Sequence, residues 1–305
     1  MMRELKILAV VVFFTLVTYW GVEPYAHSLM HKDVDHHNFE YRDLEPLNAV
    51  GDAEAGKAAV QMHCTACHGI EADGIAAPMD PAAAGIAYGV NPPDLSTAGL
   101  IYDERFLAAV IKDPVGAMKI EDTFDETNPH PMPAYGWMSD QEIADMVAYF
   151  KDIAPTSITA QEAFEDSCMR CHDMRYMDLT VFGKTPEFDS KQDELEFRIQ
   201  EADYKDALRA YMGITPPDVS TMYASRGESF MRTFIENPQS QLSGTSMPRV
   251  GITEETADLV LEYMEDSADP KKDEREALAP WVFGFLILFT VLAYFWKKSM
   301  WKDLH

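Results

Sequence analysis

With 305 residues, 47% of them apolar and 25% charged, the chain is long and apolar enough for one large globular domain or two ordinary ones, which excludes disorder as the default. Its 25 basic residues face 51 acidic ones, and a formal net charge of −26 repels nucleic acid and anionic lipid, which excludes DNA binding, while favouring a basic protein partner through long-range attraction. Positive charge concentrates at the ends: residues 1–22 and 280–305 together carry a net +3, so the stretch between them carries about −29.

The first predicted element is "ILAVVVFFTLVTYWGV" at 7–22, uncharged throughout. A signal-peptide core and a membrane helix both come near this length, and Ala26 and Ser28 offer a small-residue cleavage pattern. The run is longer and more aromatic than most signal cores, so residues 1–26 read as a retained N-terminal membrane anchor or uncleaved signal. A linker over 27–49 follows. Within it "HSLMHKDVDHH" places His27, His31, His36 and His37 without companion Cys or Glu in register, and polar juxtamembrane sequence is preferred there to a metal site.

Beyond the linker the chain repeats itself. "CTACH" at 64–68 is followed by "NPPDLS" at 91–96, "HPMPAYG" at 130–136 and "SDQEIADMVAYF" at 139–150. "CMRCH" at 168–172 is followed by "TPPDVS" at 215–220, "SMPRVG" at 246–251 and "TEETADLVLEYM" at 253–264. The order is kept and only the spacers change, which predicts two duplicated domains near 50–155 and 156–268. Both are predicted helical, in an all-α fold. Ser139 with Glu142, and Thr159 with Glu162, form the S/T-x-x-E pattern that starts a helix by reciprocal capping. Ile143, Met146, Val147 and Phe150 fall on one helical face, and Ala257, Val260, Leu261 and Met264 repeat that face in the second copy. The second copy carries an acidic insertion near 173–210, read as a surface helix with a solvated face in preference to a partner-docking surface.

A short linker, 269–278, leads to "APWVFGFLILFTVLAYFW" at 279–296 and then to a basic tail, 297–305. Eighteen apolar residues, aromatic at both ends and followed by lysines, read as a transmembrane helix rather than a buried core helix. Basic residues outside the two helices and acid between them put both termini in the cytoplasm. In a bacterium the residues between then lie in the periplasm, anchored to the inner membrane. That space is oxidising, so four cysteines there need a chemical reason.

All four belong to the two C-x-x-C-H motifs: Cys64, Cys67, Cys168 and Cys171. Such pairs serve zinc sites, dithiol redox centres or covalent haem attachment. Zinc would want the two pairs in one site, whereas each here has its own repeat unit and its own histidine. A redox dithiol needs no histidine. Haem attachment accounts for every residue, with the thiols adding to the two vinyl groups and His68 or His172 lying beneath as an iron ligand. The reading therefore calls for two covalently bound haem c groups. Met132 and Met247, each before a proline and a helix of the same pattern, are the candidate sixth ligands. Met79, Met118 and Met138 compete in the first copy, and Met212, Met222 and Met231 in the second, but none of them occupies equivalent positions in both. His130 is a rival to Met132 without a counterpart. A His/Met pair raises the reduction potential, which suits the high-potential side of a respiratory chain.

On "CTACHG", "PPDLS" and "HPMPAYG", and again on "CMRCHD", "PPDVS" and "SMPRVG", the chain resembles the class I cytochrome c domain twice over, across about two thirds of its length. The resemblance implies two tandem class I cytochrome c domains, each with crossing terminal helices beside the haem, with His68 and His172 proximal and Met132 and Met247 distal. Two such domains before a C-terminal anchor ending "LAYFWKKSMWKDLH" are similar to the membrane-bound c-type subunit of the cytochrome bc complex, the quinol–cytochrome c reductase. The N-terminal stretch looks like the start of the di-haem form of that subunit in some proteobacteria. This implies cytochrome b and a Rieske iron–sulfur protein as partners, and a soluble cytochrome c or a terminal oxidase as acceptor. The subunit is an electron carrier with no catalytic residues of its own. The di-haem subunit of a cbb-type haem–copper oxidase is the alternative, although it is usually anchored from the N-terminal side. An anchored free-standing shuttle comes third, and a di-haem peroxidase would need one open distal position.

Overall fold

Apolar residues at nearly every position leave a helix no polar face to turn to water, and the first such run stays helical throughout. In the computed structural model, which describes residues 2–30 and 39–302, α1 (Met2–Val17), a π-helical turn (Thr18–Val22) and α2 (Glu23–Met30) follow one another. The hydroxyls of Thr15 and Thr18 donate to the carbonyls of Val11 and Phe14, one turn back along the helix. Arg3–Ala26 is long and apolar enough to cross a membrane. The helix continues past residue 26 to Met30, into the stretch expected as linker. His31, His36 and His37 of that linker lie outside the described residues.

Residues 1–40 form one unit and residues 41–305 the other. In the larger unit, α3 (Ala53–His63) crosses α8 (Asp140–Ile153), with α4 (Pro81–Tyr88), α5 (Ala98–Ile101), α6 (Glu104–Lys112) and α7 (Pro114–Met118) between them in sequence. The Ser139–Glu142 capping box is formed, and Ile143, Met146, Val147 and Phe150 are all buried against Val60, Leu107 and Ile111. The crossing is close because residue 56 is glycine: a Cβ there would stand 1.9 Å from the Asp145 carbonyl oxygen.

The second repeat builds the same pair. α9 (Ala160–Phe164) starts from the Thr159–Glu162 capping box, runs into a π-helical turn (Glu165–Met169) and packs on α14 (Glu254–Ala268). The rings of Phe164 and Tyr263 meet there at 5.6 Å, and Ala257, Val260, Leu261 and Met264 are buried as the periodicity requires. Between these helices lie a hairpin, β1 (Leu179–Thr180) with β2 (Gly183–Lys184), and then α10 (Lys191–Met212), α11 (Met222–Arg226), α12 (Glu228–Glu236) and α13 (Pro238–Gln241).

Within the acidic insertion, α10 keeps most of its surface exposed but buries one face. α10 is not solvated all round: Glu201, Tyr204, Leu208 and Met212 are buried, and the helix packs on α4 of the first repeat. Gly85 and Gly89 make room for it, since a Cβ at either would lie 2.1 Å from the Tyr204 ring or 2.5 Å from Tyr211. Further on, the Asp103 N–H donates to the Gly251 carbonyl at 2.9 Å and the Thr253 N–H to that of Ile101 at 2.9 Å. The two repeats are thus joined on two sides.

The last helix, α15 (Lys272–Met300), begins seven residues before the expected span and takes up most of the expected linker. It is long and apolar enough to cross a membrane, and its apolar stretch is exposed.

Candidate functional site

Each C-x-x-C-H motif folds into one tight turn. The Cys67 and His68 N–H groups both donate to the Cys64 carbonyl, at 3.1 and 3.0 Å, and those of Cys171 and His172 donate to Cys168 at the same two distances. In the first repeat the turn follows α3, whose N-terminus is capped by the Asp52 carboxylate. In the second it begins inside the π-helical turn that continues α9.

A hydrogen bond from the far loop then orients each imidazole. His68 Nδ1 lies 2.8 Å from the Pro93 carbonyl oxygen and His172 Nδ1 lies 2.9 Å from that of Pro217. A carbonyl only accepts, so each Nδ1 carries the proton and each Nε2 keeps its lone pair. Loss of solvent holds both imidazoles below the usual histidine range, with the Pro93 and Pro217 carbonyls pulling the other way. They stay neutral, as a metal ligand must. Burial raises the Cys64 thiol to about 11, and it raises Cys168 and Cys171 as well.

The rest of the P-P-D-x-S motif fixes that far loop. Asp94 accepts from the N–H groups of Glu71 and Ser96 at 3.1 and 2.8 Å, and the Ser96 hydroxyl accepts from Ala72 N–H at 2.9 Å. Asp218 and Ser220 repeat the set with Arg175, Ser220 N–H and Tyr176, at 3.0, 3.1 and 3.1 Å. Sequence reasoning marked these residues as a repeat but gave them no task. Their recurrence was the signal.

Met132 and Met247 sit in loops of the expected kind, each half-buried. The Met132 N–H donates to His130 Nδ1 at 3.1 Å, and His130 Nε2 lies 2.8 Å from the Tyr211 hydroxyl. Both ring nitrogens of His130 are therefore engaged in hydrogen bonds. Met138 is packed in the first core, and Met212 and Met231 are buried on helix faces. Tyr135 ties the Met132 loop to the C-x-x-C-H turn by donating to the His63 carbonyl at 2.9 Å. A cavity of about 280 Å³ runs between the Met132 loop, at Pro129 and Pro131, and Tyr88, whose hydroxyl is 3.9 Å from Cys67 Sγ. The Met247 loop is held by Gln239, which donates to the Met247 carbonyl at 2.9 Å, and by Arg249, which donates to the Ala117 carbonyl and to both oxygens of Asp43.

Haem c asks for two thiols and an unprotonated imidazole nitrogen on one short turn, and residues 64–68 meet that demand. The sequence model of the cytochrome c family matches residues 53–154. Those residues form a cytochrome c domain. The family carries covalently bound haem c, so this domain is one for electron transfer. The cytochrome c of Tetrahymena pyriformis is 29% identical over 107 residues, 34% of this chain and 90% of that protein. Among solved structures, a chain of a hyperthermophilic respiratory complex III is similar at 24% identity and a TM-score of 0.38, over 48% of this chain and 75% of that one.

Proposed function

We propose that the chain is a di-haem, membrane-anchored electron-transfer subunit of a respiratory quinol–cytochrome c reductase. The observation that carries the two-site reading is the pair of imidazoles, His68 and His172, each held through Nδ1 by a proline carbonyl at 2.8 and 2.9 Å. A second C-x-x-C-H turn built hydrogen bond for hydrogen bond like the first has the same use for its thiols and its Nε2.

In this reading Cys64, Cys67, Cys168 and Cys171 hold the porphyrins, His68 and His172 ligate from one side, and Met132 and Met247 from the other. Bound in that way, haem iron supplies a reversible one-electron couple, raised in potential by the thioether sulfur. The chain's own task is to keep both ligand loops rigid and water away. Tyr135, Gln239 and Arg249 do so for the distal loops, and Asp94 and Asp218 for the proximal ones.

The anchoring supports the reductase assignment. A helix of 29 residues, about 43 Å at 1.5 Å per residue, ends in the basic, Trp-containing tail that the reductase subunit resembles. Charge asymmetry directs residues between the two apolar helices to the periplasm and both ends to the cytoplasm. Cytochrome b and the Rieske protein are then the membrane partners, and a basic soluble cytochrome c or a terminal oxidase takes the electrons.

Purification from native membranes tests this. We expect two haem c groups per chain and co-purification of a cytochrome b and an iron–sulfur protein. One haem per chain would end the two-site reading, and haem–copper oxidase subunits in place of cytochrome b would move the chain to that complex.

A further inference from the structure

One side chain in the second attachment turn faces the first repeat. Arg170 stands between Cys168 and Cys171, yet it lines a cavity of about 130 Å³ together with Asn91, Pro93, Thr97 and Tyr102. Pro93 is the residue whose carbonyl orients His68. The Nε of Arg170 is buried and has no hydrogen-bond partner among the described residues.

The approach is fixed by three bonds. The Tyr204 hydroxyl donates to the Arg170 carbonyl at 2.7 Å and accepts from the Asn91 N–H at 3.0 Å, and the Thr97 hydroxyl donates to Asp166 at 2.7 Å. The two attachment regions therefore keep one mutual position. The first motif has Ala66 where the second has Arg170, so no cation is returned in exchange.

We propose that Arg170, though carried by the second attachment turn, raises the reduction potential of the first site. The inference rests on the two-haem reading. Taking up an electron lowers the charge of an iron centre by one, so a fixed neighbouring cation favours the reduced form. A guanidinium keeps its charge at every accessible pH, and a buried one is little screened by salt. Asp94, Glu165 and Asp166 line the same cavity and keep their negative charge while accepting two backbone N–H groups, the Gln161 amide and the Thr97 hydroxyl respectively, so they oppose the contribution of Arg170 without removing it. The field of Arg170 reaches His68, where Asp94 opposes it, and also reaches Cys168 and Cys171 of its own turn, while the charges that act on His172 are those of Asp173 and Asp218.

The test is a redox titration of the detergent-purified holoprotein, followed optically and by electron paramagnetic resonance. Met132→Ala identifies the first-site signal as the one that becomes high-spin. Arg170→Gln is expected to lower the ferrous-to-ferric ratio of that signal about tenfold at fixed potential, equivalent to 59 mV for a one-electron couple, with a smaller change at the other signal. Arg170→Lys keeps the charge and is expected to restore most of the shift. Asp166→Asn removes a countercharge while leaving an acceptor for Thr97, and it is expected to move the same signal upward, which keeps the test open if Arg170→Gln does not take up haem. An unmoved first signal, or a shift confined to the second, overturns the proposal. Fewer than two haems in the unsubstituted chain overturns the reading beneath it instead.

Discussion

At both C-x-x-C-H turns a carbonyl oxygen decides what the neighbouring imidazole can do. Proline has no N–H to offer, but the carbonyls of Pro93 and Pro217 accept the Nδ1 proton and leave Nε2 as the only basic nitrogen. On the opposite side, the proposed roles of Met132 and Met247 lead to separable outcomes. Met132→Ala and Met247→Ala are each expected to turn one haem high-spin and lower its potential, with the other left low-spin, as absorption and paramagnetic resonance spectra read directly. Two low-spin signals in either variant would remove that methionine as a ligand. The two C-x-x-C-H turns were legible because each motif is one fixed local spacing. The proline carbonyls were not, because their bonds close loops of 25 and 45 residues, and no local pattern announces which carbonyl will arrive. Arg170 was invisible for another reason: the two positions between the cysteines carry no pattern of their own.

Elements were readable where their own sequence does the work. α8 and α9 begin at capping boxes written in four consecutive residues, and α8 and α14 bury the stripes their periodicity predicts. α10 was harder, because acidic residues crowd its sequence and only Tyr204, Leu208, Tyr211 and Met212 mark a face. What that face meets, Gly85 on α4 and Gly89 at its C-terminal cap, is set more than a hundred residues earlier. Gly85→Ala tests the contact. Its added Cβ would fall 2.1 Å from the Tyr204 ring, too close for either helix to keep its place. Overpacking of this kind costs about 1–3 kcal/mol, so a thermal melt should fall by several degrees, and proteolysis within α10 should quicken. An unchanged melt would mean that α10 rests on α4 without holding the repeats together.

At the scale of the whole molecule, charge acts at two ranges. The short range is the cluster around Asp43. Its carboxyl loses solvent, which works against ionisation, but the Arg249 and Lys119 hydrogen bonds and charges outweigh that and hold it below the usual carboxylate range. A depressed pKa in the folded chain contributes stability above the unfolded value, and that share is lost as pH falls through the folded one. Asp43 is half-exposed, so Asp43→Asn should cost about 1 kcal/mol at neutral pH after solvent screening. Melting curves of the two proteins should converge as pH drops below about 4. A gap that persists there would assign the loss to packing. The long range is the body between the apolar helices, with the formal −26 of the chain sharpened by basic ends. Such a field attracts basic proteins in solution, and the Debye length of about 10 Å at 0.1 M salt sets how far it reaches. Steered association runs near 10⁸–10⁹ M⁻¹s⁻¹ at low salt and falls toward roughly 10⁵–10⁶ as the field is screened. Stopped-flow oxidation of the reduced chain by a basic cytochrome c should therefore slow steeply as salt is raised, while an acidic one should start slow and quicken. A rate indifferent to salt with both would mean that the acidic body serves solubility, and that the docking face is apolar.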